Sequence, residues 1–174
     1  MSGFYEGGIQ NEDVRNVIQN GSNDARFINY FGEAIDNKPL LAPGVSGWTD
    51  HHGNIHPLYR DPDEEVDENG FDLHKPIDRN FHIPRWSIVI RYGSEEGFNL
   101  TTPCKDFDSI ALGYDRRSVQ FHLYVVISNN LYVTKGTVGP QPQFGHFGKG
   151  GGIQYLTRTK IRSLVDRDIL WRII

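Results

Sequence analysis

The run over residues 143–155, Gln-Phe-Gly-His-Phe-Gly-Lys-Gly-Gly-Gly-Ile-Gln-Tyr, constrains this chain more than any other segment. Three consecutive glycines, Gly150, Gly151 and Gly152, deliver the backbone into a short apolar strand that carries one polar residue, Gln154. Glycine loses more conformational freedom on folding than any other residue. Three in a row are therefore expected where the backbone must come close to another group, with a flat or anionic ligand as the expected visitor.

Strand signals dominate from residue 81 onward. Residues 87–92 read as one strand and 118–128 as a long second one, with Val119, Phe121, Leu123, Val125 and Ile127 on one face. Asn129-Asn130 reads as a two-residue hairpin turn, because Asn tolerates positive φ, and residues 131–134 return antiparallel. Strands follow at 153–156 and 169–173. Between them Thr159 is positioned to cap a short helix through Ile161, Leu164 and Val165.

The first 40 or so residues read as helical. Asn11 caps a helix with Glu12 and Asp13 in its first turn, and Asn20-Gly21 stops it. A second helix starts at Asn23, with Phe27, Ile28, Tyr30 and Phe31 on its apolar face. Residues 36–78 have little periodicity and read as an irregular cover packed by Trp48, Leu58, Tyr59 and Phe71. The predicted class is α+β: a mostly antiparallel small sheet core with N-terminal helices and a short C-terminal helix. The predicted division is a helical and irregular segment, 1–68, packed on a core of 69–174.

Composition narrows the function. The 174 residues suit one domain. With 18 basic and 22 acidic residues the net charge is −4, which argues against a nucleic-acid partner. No apolar stretch approaches the ~20 residues of a membrane span, and the N-terminus carries no hydrophobic signal core. Cys104 is the one cysteine, so no internal disulfide forms; without a base nearby it reads as a passive thiol. His51, His52 and His56 lack a Cys partner or an HExxH pattern and read as loop histidines, so no metal is expected. The acidic run 61–72 fails as an EF-hand because Pro76 stands where the closing glutamate is required.

Alternation singles out three polar residues of different kinds. His122 shares a strand face with Gln120 and Tyr124, Arg91 alternates with Ile90 and Tyr92, and Gln154 is flanked by Ile153 and Tyr155. Taken singly, each reads as an ordinary solvent-facing strand residue; taken together, they are expected to line one cleft.

Three segments occur in order: 91–97, Arg-Tyr-Gly-Ser-Glu-Glu-Gly; 121–126, Phe-His-Leu-Tyr-Val-Val; and Phe144-Gly145 through Gly150-Gly151-Gly152-Ile153-Gln154-Tyr155. Together they resemble the signature of the tuberculosis necrotizing toxin domain, a family of NAD glycohydrolases found in bacterial toxins and on fungal spores. Asn69-Gly70-Phe71 resembles the turn before the family core, and residues 156–170 resemble its ending. The resemblance covers residues 69–174 and leaves the N-terminal third unassigned. It implies cleavage of the nicotinamide–ribose bond of NAD or NADP, with no cofactor beyond that substrate. It also implies a toxin or effector that is secreted or delivered into a target cell, with a cognate inhibitor or immunity protein as a partner.

The matching catalytic positions are Arg91 as a cation for the pyrophosphate, His122 for hydrogen bonding or for the attacking water's proton, and Gln154 beside the reacting ribose. Tyr92 and Phe144 are read as stacking groups, Gly151 and Gly152 as points of close backbone approach to the ligand, and Lys149 as a phosphate contact. The chain departs from the family pattern at Ile110-Ala111-Leu112-Gly113, where a second arginine is expected; Arg116 or Arg117 then supplies that charge. Glu95, Glu96 and Asp115 are candidates for stabilising a cationic ribose, with solvated loop charge as their default reading. Two rival readings share the fold: an ADP-ribosyltransferase, and an NAD-binding interaction module without turnover.

Overall fold

The computed structural model describes residues 41–51, 53, 55–58, 66–67, 69–102, 107–114 and 120–173. Among them nine strands run in chain order: β1 (Gly47–Thr49), β2 (Ile55–Pro57), β3 (Asp78–His82), β4 (Ile88–Tyr92), β5 (Asn99–Leu100), β6 (Phe121–Val126), β7 (Tyr132–Thr137), β8 (Ile153–Leu156) and β9 (Leu170–Arg172). One short α-helix, α1 (Ile161–Asp166), separates β8 from β9. Strands β4, β6 and β7 are rich in β-branched and aromatic residues, which suit a pleated surface.

The strands pair antiparallel in three sheets: β1-β2, β3-β7-β8-β5 and β4-β6-β9. The two larger sheets meet where Ile90 and Thr101 exchange both backbone hydrogen bonds, each 2.9 Å. Thr101 strengthens that seam by donating its hydroxyl to the Ile153 carbonyl at 2.6 Å. Strands β5 and β4 thus lie side by side, and the order reads β3-β7-β8-β5-β4-β6-β9.

Both faces of the β4-β6 pair are buried. Ile88, Ile90, Tyr92, Phe121, Leu123 and Val125 pack on one side with Ile173. Val89, Tyr124 and Val126 pack on the other with Leu100, Val133, Tyr155, Ile161 and Leu164. The β1-β2 hairpin is tied on through the Leu41–Tyr114 bridge and the Ala42 N–H, which donates to the Gly113 carbonyl at 3.0 Å.

The α+β class is corrected: the described residues are mostly antiparallel β with a single short α-helix. The expected N-terminal helices, over residues 11–18 and 23–31, lie outside the described residues. The segment read as irregular contributes β1 and β2 instead. Strands of two or three residues are too short to show a period of two, and their hydrogen bonds come from partners distant in sequence. Trp48 and Leu58 do not pack as a cover either; they are 52% and 50% exposed, whereas Phe71 is fully buried.

The hairpin expected at Asn129-Asn130 is also corrected. Both flanks of β6 are occupied, by β4 and by β9, so β7 has no free edge to pair with and crosses to the other sheet. The connection is held locally: the Asn130 N–H donates to Ser128 Oγ at 3.1 Å, and His82 Nε2 bonds the Asn129 carbonyl at 2.6 Å. Thr159 does not cap α1. Lys160 stands at the cap without a side-chain bond, and the first N–H groups of α1 are received by loop carbonyls, Ile161 by Gly97 at 3.0 Å and Arg162 by Glu95 at 2.9 Å.

Candidate active site

The loop between β4 and β5 is organised around Arg91. Its Nε donates to the Ser94 carbonyl at 2.5 Å and its Nη1 to the Asn99 carbonyl at 2.9 Å. Two backbone acceptors thereby fix the plane of the guanidinium, and neither carries a formal charge. The loop closes tightly over that group: a Cβ placed on Gly97 would lie 1.9 Å from Arg91 Nη2. Only a residue without a side chain leaves the guanidinium where it is.

Gln154 is buried on β8 opposite Gly136. Its Nε2 donates to the Asn69 carbonyl at 2.8 Å and to Asn99 Oδ1 at 3.2 Å. Both amide hydrogens are committed, so the group Gln154 can offer a ligand is its acceptor oxygen Oε1. The Asn69 carbonyl is presented by a turn in which Asp67 Oδ1 accepts the N–H groups of Asn69 and Phe71, each at 2.9 Å. Asn99 joins the two site residues, because its backbone oxygen receives Arg91 and its side-chain oxygen receives Gln154. Alternation through the Ile90–Thr101 seam puts Gln154 on the face of Ile90 and Tyr92, and Arg91 on the reverse face with Val89.

A cavity of about 630 Å³ opens at this place, within the range of small-molecule sites. Arg91, Asn99, Gln154 and Gln120 supply polar lining; Ile90, Tyr92, Ile110, Leu112 and Tyr114 supply an apolar wall. Asp50 and His56 reach it from the β1-β2 hairpin.

Although Arg91 and Gln154 leave the sheet on opposite faces, both line this cavity, as does Tyr92. Tyr92 does so from a buried position, tilted against Phe121 with centroids 5.2 Å apart. His122 is not among the lining residues: it sits directly opposite Arg91 in the β4-β6 ladder and bonds Gln120 Oε1 at 3.1 Å. Phe144 is buried against Gly113 and Lys149 is an exposed residue; neither lines the cavity.

The glycines approach the protein itself. The N–H groups of Gly150, Gly151 and Gly152 donate to the carbonyls of Asp108, Val138 and Ser109 at 3.3, 2.8 and 3.0 Å. They are committed to the fold rather than held out to a ligand. Ile110 and Leu112, where the resemblance led to an expected arginine, form the apolar wall; Arg116 and Arg117 lie outside the described residues.

Glu95, read from sequence as a solvated charge, is 6% exposed. Its carboxylate accepts the Tyr124 hydroxyl at 2.8 Å and both Arg172 Nε and Nη2, at 3.0 and 2.7 Å. Burial pushes the Glu95 carboxyl up, but the hydrogen bonds from Arg172 and Tyr124, with the charge of Arg172, outweigh it and hold the group below its ordinary value. Burial, followed by the bond to Glu95, pushes the Tyr124 hydroxyl well above the ordinary tyrosine range. No local pattern announces this cluster, since its members stand on β6, β9 and the β4–β5 loop. The neighbouring Glu96 is exposed and bonds Lys160 and Arg162 at 3.0 and 2.9 Å.

An antiparallel β domain with an arginine and a glutamine held on one ligand-sized cavity is the class that fold and site define. The sequence profile of the family described as tuberculosis necrotizing toxin matches residues 83–173, more than half of the chain. The chain belongs to that toxin family. No curated protein matches it. Among solved structures it is similar to the tuberculosis necrotizing toxin complexed with its immunity factor, with 18% identity and a TM-score of 0.47, over 72% of this chain and 66% of that one. The chain thus spans just under two thirds of that protein's chain. No helix among the described residues is long and apolar enough to cross a membrane.

Proposed function

We propose that this domain hydrolyses the nicotinamide–ribose bond of NAD or NADP, releasing nicotinamide, as a toxin delivered to a target cell and held in check by a cognate inhibitor protein. The observation that carries this reading is the convergence of Arg91 and Gln154, tied together through Asn99, on one cavity.

The chemistry needs few groups. An ordinary glycosidase must protonate its leaving oxygen and uses a carboxyl pair to do so. Nicotinamide in NAD is already a pyridinium cation and leaves neutral, so no general acid is required. What remains is to orient the dinucleotide, exclude bulk water and stabilise positive charge on the ribose. In this reading Arg91 holds the pyrophosphate, its fork aimed by two carbonyls. Gln154 turns Oε1 to the reacting ribose, where a fixed acceptor dipole favours the developing cation. Tyr92 and the apolar wall keep that end dry. His122 stands beside Arg91 on the neighbouring strand, outside the cavity lining, and is given a supporting role.

Purified protein incubated with NAD, and separately with NADP, is expected to release nicotinamide. Arg91→Ala and Gln154→Ala are each expected to lower turnover more than about tenfold with the fold retained by far-ultraviolet circular dichroism. Wild-type turnover in either variant removes that residue from the site, and an inactive parent protein removes the reading.

A further inference from the structure

We propose that the β1-β2 hairpin, which lies outside the family-matched residues 83–173, supplies a subsite for a planar organic cation, the nicotinamide ring of the substrate. The inference deepens the hydrolase reading and rests on it.

The hairpin register places Trp48 opposite His56. Their rings stack with centroids 4.6 Å apart and 25° between planes. His56 Nε2 meets Asp50 Oδ2 at 2.8 Å, so the imidazole is fixed by a carboxylate on one edge and an indole on one face. Asp50 and His56 both line the cavity that holds Arg91 and Gln154. The hairpin is closed on itself and tied to the rest of the domain. Leu58 N–H donates to the Ser46 carbonyl at 3.0 Å, closing the base, and the bridge to Tyr114 ties the strand entrance to the cavity's apolar wall.

Of these three side chains Asp50 and His56 line the cavity, while Trp48 is stacked on His56 outside the lining; a carboxylate beside an apolar wall suits one kind of guest. A flat cation gains from the carboxylate's charge; an anion is repelled. The dinucleotide carries one planar cation, its pyridinium, and its anionic pyrophosphate belongs with Arg91. The cation disappears in the reaction, so this subsite binds the substrate and not the product that remains after nicotinamide leaves. Binding of that kind is weaker in the transition state, where the charge is leaving the ring, so its loss raises KM without lowering kcat.

Steady-state nicotinamide release by the full chain from NAD, with ADP-ribose as inhibitor in the same assay, tests this. Asp50→Asn is expected to raise KM for NAD about tenfold while kcat does not fall and the inhibition constant of ADP-ribose stays unchanged. Trp48→Ala, at a half-exposed position that tolerates change, removes the ring stacked on His56 and is expected to raise KM about threefold through that residue with the same selectivity. Should either variant weaken NAD and ADP-ribose alike, or should both leave NAD untouched, the subsite is overturned while the hydrolase reading stands. A parent protein that neither releases nicotinamide nor binds ADP-ribose overturns both.

Discussion

Arg91 shows how a single side chain acquires a role through its neighbours. Its fork is held by the carbonyls of Ser94 and Asn99, and the space it occupies exists because residue 97 is glycine. Gly97→Ala is therefore expected to push the guanidinium aside. The obstructed atoms are the far end of a flexible side chain, so stability should change little, by less than about 1 kcal/mol. Nicotinamide release should nevertheless fall toward that of Arg91→Ala. Comparing melting temperature with turnover in this variant separates the two effects, and full activity would show that the fork's present placement is not needed. Arg91 and Gln154 were legible in sequence as polar residues in strand contexts. Their common neighbour Asn99 was not, because a two-residue strand gives no periodic signal.

At the scale of elements, the β4–β5 loop is fastened at both ends of its width. Glu95 ties it to β6 and β9, and the carbonyls of Glu95 and Gly97 receive the first N–H groups of α1. The folded-state pKa of Glu95 lies below its unfolded value. Its contribution is therefore complete above the unfolded pKa and fades as pH falls through the lower folded value. Glu95→Gln is expected to cost about 2 kcal/mol at neutral pH, and the gap between parent and variant should close in acid. Urea denaturation at a series of pH values reads this directly; a gap that stays constant into acid would remove the charge from the explanation.

The glycine-rich connection from β7 to β8 makes a second test. Gly150 has φ +73°, and an added Cβ would lie 2.8 Å from the Pro140 nitrogen, a backbone atom; Gly151 has φ +93° with open space around it. Gly150→Ala should cost about 3 kcal/mol and Gly151→Ala about 1 kcal/mol, with KM for NAD unchanged in the latter. A raised KM in Gly151→Ala would return the ligand-contact role to that residue. The sequence marked this segment as a place of close approach, and close approach is what the structure has. The partner is the protein's own backbone at Asp108, Val138 and Ser109, which no local pattern could name.

For the molecule as a whole, the two larger sheets share one buried cluster, with Val89 and Tyr124 from one, Leu100, Val133 and Tyr155 from the other, and Ile161 and Leu164 from α1 laid against them. Such shared packing couples the sheets. Leu164→Ala is expected to destabilise by about 3 kcal/mol, lowering a single transition seen alike by far-ultraviolet circular dichroism and by loss of activity. Separate transitions for the two probes would show that the sheets unfold independently.

What the sequence determined by itself was local. Runs of β-branched and aromatic residues set β4, β6 and β8, the apolar spacing set α1, and three ordered motifs pointed to the family, because each signal is written within a dozen residues. Tertiary structure alone decided which strand lies beside which, that β7 leaves β6 for another sheet, that Glu95 is buried, and that a hairpin before the family segment joins the cavity. Those outcomes depend on which edges and which apolar faces remain free once other elements have docked, a competition between distant segments that no stretch of chain records alone.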